Sequence, residues 1–136
     1  MKILSSNERA SRKGPAEWFT GNVWLDEIAV GVEPSRVGVF RVSFEPGART
    51  AWHTHPVGQT LHVLTGSGMV QLEGQKAKEI HPGDTVVIAP GERHWHGASA
   101  NNTMVHLAIQ EMDAQGVNVV WMEPVTDEQY NAREAV

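Results

Sequence analysis

The chain has 136 residues, 40% hydrophobic and 20% charged, which fits one packed domain and excludes wholesale disorder. A net charge of -5 with no Lys/Arg cluster excludes a general polyanion binder, so no nucleic-acid partner is expected; Arg9 to Lys13 reads as a solvated arm. The absence of cysteine excludes disulfides and thiolate metal sites, leaving nitrogen and oxygen donors for any metal.

The start, MKILSSNERASRKG, turns polar after four residues and lacks the apolar core of a signal peptide. No run approaches the roughly 20 apolar residues needed to cross a bilayer. A cytoplasmic protein without membrane contact is the expectation. Residues 1–20, with Gly14-Pro15, read as an N-terminal arm anchored by Trp18 and Phe19, and residues 21–136 as a single domain. Runs rich in β-formers follow at 37–44 (VGVFRVSF), 59–64 (QTLHVL), 69–73 (MVQLE), 84–89 (DTVVIA) and 103–110 (TMVHLAIQ), separated by Gly/Pro turns. Many short strands predict an all-β sandwich or barrel. Helical patterning appears only at the end, where Thr126-Asp127-Glu128-Gln129 has the form of a capping box opening a short helix to about Ala135.

Side chains two apart share a face of a strand. His53 and His55 therefore point one way and Trp52 and Thr54 the other; the same holds for His94 and His96 against Trp95. In 103–110 the set Met104, His106, Ala108, Gln110 shares one face, suited to a polar cavity. Val105, Leu107 and Ile109 share the other, suited to cover by a second sheet or subunit. Two imidazoles from an H-x-H pair can meet one ion, but a strand cannot surround it. Gln59 offers an amide oxygen, and His94 or His96 can arrive from a distant strand. Such a set suits Zn, Fe, Ni, Cu or Mn.

These residues carry a resemblance. Gly47, His53-x-His55, Gln59 and Gly66 stand at the spacings of the first cupin motif, with Gln in place of its Glu. Gly83, Gly91 and His94 stand at those of the second; Ala89 and Ala98 replace its Pro and Asn. The chain thus resembles a cupin, which implies a double-stranded β-helix barrel of jelly-roll type. Gln for Glu leaves a divalent site more positive by about one charge, favouring an anionic oxygen ligand and disfavouring higher oxidation states. That points toward redox-neutral Lewis-acid chemistry rather than oxygen activation.

The runs FEPGARTAWHTHPVGQTL, IHPGD, PGERHWHG, HLAIQE and VTDEQY are similar to small bacterial cupins acting as manganese-dependent (R)-hydroxynitrile (mandelonitrile) lyases. The resemblance implies one divalent ion, Mn(II) first and Fe(II), Zn(II) or Ni(II) as alternatives, on His53, His55, Gln59 and His94. It implies a pocket including Thr50, His96, His106 and Gln110. Phe40 and Val42, on the strand entering the first motif, are read as pocket wall, Phe40 narrowing it for an aromatic cyanohydrin. The implied reaction cleaves or forms a cyanohydrin, with His106, or else His96, as the base. The alternatives are another metal-dependent cupin enzyme, such as an iron dioxygenase or isomerase, and a non-catalytic small-molecule binder. A homo-oligomer, dimer or tetramer, is expected through the aliphatic face. His62 is read as structural, His81 as a surface residue, and Trp52, Trp95 and Trp121 as packing anchors.

Overall fold

The computed structural model describes residues 1–132. In chain order its strands are β1 (Ser11–Lys13), β2 (Phe19–Thr20), β3 (Val23–Val30), β4 (Val37–Phe44), β5 (Arg49–Thr50), β6 (His53–Thr54), β7 (Gln59–Gly66), β8 (Gly68–Leu72), β9 (Lys78–Ile80), β10 (Thr85–Ile88), β11 (His94–Ala98), β12 (Met104–Glu111) and β13 (Val120–Trp121). One short helix, α1 (Asp127–Asn131), follows. A six-stranded antiparallel sheet runs β1-β3-β4-β12-β7-β10. A second sheet runs β13-β6-β11-β5-β2, with β8 added on β11 and β9 on β8.

Period-2 patterning decides which face of each strand turns inward. In β12, Met104, His106 and Ala108 are buried while Val105, Leu107 and Ile109 are only half-buried. The inward residues join Val23, Val42, Phe44, Leu61, Val63 and Ile88 in a core between the sheets. The patterned runs at 37–44 and 103–110 emerge as β4 and β12 nearly residue for residue. β3 was not among them. Asp26 and Glu27 interrupt its apolar rhythm, and a register shift between Glu27 and Ala29 breaks it again. Asp26 is tolerated because Arg41, its cross-strand partner, donates to it at 2.8 and 3.0 Å.

The outer face of the second sheet is covered by the C-terminal segment. Trp52, Met69 and Trp95 pack there against Val125 and Tyr130. Arg49 donates to Val125 O at 2.9 Å and to Asp127 Oδ1 at 2.7 Å, and Tyr130 Oη donates to Ala98 O at 2.6 Å. The Thr126–Gln129 capping box forms as expected, which starts α1 at Asp127. Its expected reach to Ala135 lies outside the described residues. At the other end, β1 pairs with β3, Phe19 enters the core, and Trp18 stacks on Trp121 with centroids 5.4 Å apart. No helix among the described residues is long and apolar enough to cross a membrane.

Candidate metal centre and active site

Strand register brings the two histidine segments together: His94 on β11 is the cross-strand partner of His53 on β6. Just past β6 the chain turns sharply. Gly58 adopts φ +84° and its N–H donates to His55 O at 3.2 Å. A Cβ at that position would lie 2.7 Å from Ile88 O, so glycine is required twice over. The Gly91 amide donates to the same His55 carbonyl at 3.1 Å, tying the second segment to the first. Five of the chain's seven histidines, His53, His55, His94, His96 and His106, are thereby buried in one cluster.

Three of these rings are held in the same way. Nδ1 of His53 lies 2.8 Å from Ala51 O, that of His55 2.6 Å from Asn118 O, and that of His94 2.9 Å from Glu92 O. A carbonyl oxygen only accepts, so each Nδ1 carries the proton and each Nε2 presents a lone pair. His55 Nε2 is buried with no hydrogen-bond partner among the described residues. His94 Nε2 faces Gln59 Oε1 at 3.2 Å, two acceptors with no proton between them. Mutually facing lone pairs in a buried site are the donor set a cation would satisfy. One ring nitrogen each from His53, His94 and His96 also lies within 4.8 Å of the others. Three histidines so placed suit a single divalent ion.

His96 and His106 form a different arrangement. His96 Nδ1 and His106 Nε2 are 2.9 Å apart and share one proton, while His96 Nε2 and His106 Nδ1 have no hydrogen-bond partner among the described residues. The ring of His106 leans on Phe44 at 5.3 Å.

A cavity of about 260 Å³ opens beside this cluster, lined by His53, His55, Gln59, His96 and Thr50 on its polar side. Phe40, Val42 and Gln110 also line it. His106 does not: it stands behind His96, reached through it. Trp18, Phe19, Leu25, Ala108, Asn118, Val119 and Trp121 complete the wall among the described residues. Trp121 therefore does more than anchor; its ring lies 4.7 Å from that of His53. Trp52 and Trp95 remain packing residues on the far side of the sheet. His62 bonds Thr85 Oγ1 at 2.9 Å, away from the cavity, and His81 is exposed. The only signal for the aromatic wall was the pair Trp18-Phe19, read as an anchor.

Among the described residues no carboxylate lines the cavity, and burial dominates its electrostatics. Loss of solvation holds His53 and His96 well below the ordinary 6.5, reinforced by repulsion from neighbouring imidazoles. It lowers His55, and pushes His94 and His106 down to about 4. All five are neutral at pH 7, the state that ligates and accepts protons.

Stability follows from the same shifts. Below pH 6.5 the unfolded chain binds more protons than the folded one, so stability is full above that value and falls with pH toward 4. His94 and His106 each remove about 3 kcal/mol by pH 4 in chelator-treated protein. Urea midpoints measured from pH 7 to pH 4 should decline steadily; a flat series would contradict the buried neutral cluster.

Residues 40–110 match the family description "Cupin domain". A curated (R)-mandelonitrile lyase, an enzyme from Granulicella tundricola, is 56% identical over 131 residues, covering 96% of this chain and 98% of that protein. The crystal structure of a cupin-like protein from Thermotoga maritima superposes with a TM-score of 0.82 at 41% identity, over 91% of this chain and 94% of that one. The polyketide cyclase RemF from Streptomyces resistomycificus superposes at 0.68 with 19% identity, over 96% and 91% of the two chains, and shares the fold alone. With both motif segments folded around one histidine cluster inside a two-sheet barrel, the chain belongs to the cupin family.

Proposed function

We propose that this protein is a metal-dependent lyase that cleaves and forms cyanohydrins, with Mn(II) held by His53, His55, Gln59 and His94. The observation that carries the reading is a division of labour among five buried imidazoles beside one cavity. His53, His55 and His94 have Nδ1 fixed on a backbone carbonyl, the usual support of a metal ligand. His96 has its Nδ1 on another imidazole, the support of a group that exchanges protons. That contrast favours His55 over His96 as a ligand, although it is a ring nitrogen of His96 that lies within 4.8 Å of those of His53 and His94. The 56% identity to an (R)-mandelonitrile lyase across nearly the whole chain supports the same chemistry.

A divalent ion on neutral ligands keeps its full charge and supplies Lewis acidity toward the substrate hydroxyl. The chain's own residues do the rest. His96, a residue of the cavity wall whose Nε2 has no partner among the described residues, takes the hydroxyl proton. His106 Nε2 accepts from His96 Nδ1–H and so stabilises the imidazolium that forms. As the carbon–carbon bond breaks, its electron pair leaves with cyanide and the oxygen becomes the aldehyde carbonyl. His96 then returns the proton to cyanide. Thr50 Oγ1 accepts from the His96 amide at 3.2 Å and still has its own proton to donate toward substrate. Phe40 and Val42 confine the organic group, and Gln110 borders it. Manganese-loaded protein mixed with benzaldehyde and cyanide at mildly acid pH should give one enantiomer of mandelonitrile in excess over a blank. Racemic product at the blank rate, or oxygen uptake with a phenol instead, would overturn the reading.

Assembly belongs to the same proposal. The outer face of the first sheet carries exposed Trp24, Leu64 and Val87 beside half-buried Val105, Leu107 and Ile109. A second copy is the partner we expect to cover it. Light scattering should give the mass of a dimer or tetramer, and Leu107→Asp should shift it to the monomer.

A further inference from the structure

A glutamine among metal ligands carries an ambiguity that a glutamate does not. One end of its amide accepts and the other donates, and the two ends exchange by a half-turn about the last side-chain bond. Here the exchange would matter. With Nδ1–H of His94 committed to Glu92 O, the lone pair on His94 Nε2 would be satisfied by the Gln59 NH₂. Without a cation, His94 therefore pulls Gln59 toward the wrong face. The structure shows the opposite orientation: Gln59 Oε1 faces His94 at 3.2 Å, and Gln59 Nε2 donates to Gln110 Oε1 at 3.0 Å. The two glutamines are direct cross-strand partners on β7 and β12, so register alone keeps them in reach.

We infer that Gln110 is a positioning residue that fixes the Gln59 amide with its oxygen toward the ligand histidines, so that the metal-free site is already set to receive a cation. This rests on the metal-binding part of the proposed function and not on its lyase chemistry. It gives Gln110 a task that its place on the cavity wall does not disclose. Glu at position 110 can only accept, so it holds Gln59 at least as firmly; Leu at 110 releases it.

The test is Mn(II) affinity, read by the electron paramagnetic resonance of free ion during titration, with melting of the metal-free variants as a control for folding. Gln110→Leu should weaken binding at least about tenfold, as loss of a group that orients a ligand does. Gln110→Glu should bind as tightly as wild type or tighter. The deciding measurement uses Gln59→Glu, whose carboxylate presents oxygen whichever way it turns. In that background Gln110→Leu should cost less than about threefold, because no orientation is left to fix. An equal loss in both backgrounds, or none in either, would overturn the assignment while leaving the metal site in place. Failure of wild-type protein to bind Mn(II) would overturn the metal reading and this inference together. Binding without cyanohydrin turnover would sink only the lyase.

Discussion

Alanine at position 53 should leave a folded barrel that retains little metal and turns over cyanohydrin at least about a thousandfold more slowly, a barrier increase near 4 kcal/mol. His53 is the hub of the site: its ring lies 4.2 Å from that of His94 and 5.0 Å from that of His55. Removing it takes away one donor and the spacer between two others. His62→Ala is the matched control. That ring lies on the opposite face of β7 from Gln59 and bonds the Thr85 hydroxyl, so metal content and rate should stay within about twofold. Elemental analysis with initial rates on both variants checks the pair. Full metal occupancy in His53→Ala would remove the ligand assignment.

His96→Ala should behave differently. Metal stays bound, because the carbonyl-anchored rings are untouched, while kcat falls about a hundredfold to ten-thousandfold, the usual contribution of a proton-transfer group. His106→Ala should cost less, about tenfold, since His106 reaches the cavity only through His96. Measuring metal content beside kcat separates the roles. If His96→Ala loses its metal and His55→Ala keeps it, the two histidines must exchange places as ligand and base. If His106→Ala is the slower enzyme, the sequence-based choice of base returns.

How the site could be read from sequence depended on the kind of information each residue carries. The H-x-H pair, Gln59 and His94 were legible because strand periodicity and motif spacing place them without any three-dimensional knowledge. The inward face of β12 was legible for the same reason. The depth of His106 was not. Period 2 says that it faces inward, but only the folded site shows that it contacts His96 and is absent from the cavity lining. The aromatic wall was hidden more completely. Trp18, Asn118 and Trp121 come from the arm and from the stretch between β12 and α1, where no periodicity reports a facing direction. Trp121 looked like any packing tryptophan until its stacking partner Trp18 was found beside the cavity.

One detail of that late stretch bears on biosynthesis. The carbonyl that orients His55 belongs to Asn118, which lies beyond every strand of the first sheet. A nascent chain on the ribosome can build most of the barrel before that oxygen emerges. In the proposed metal site, His55 gains its orienting partner only after residue 118 has been made, so the donor set is completed late in synthesis.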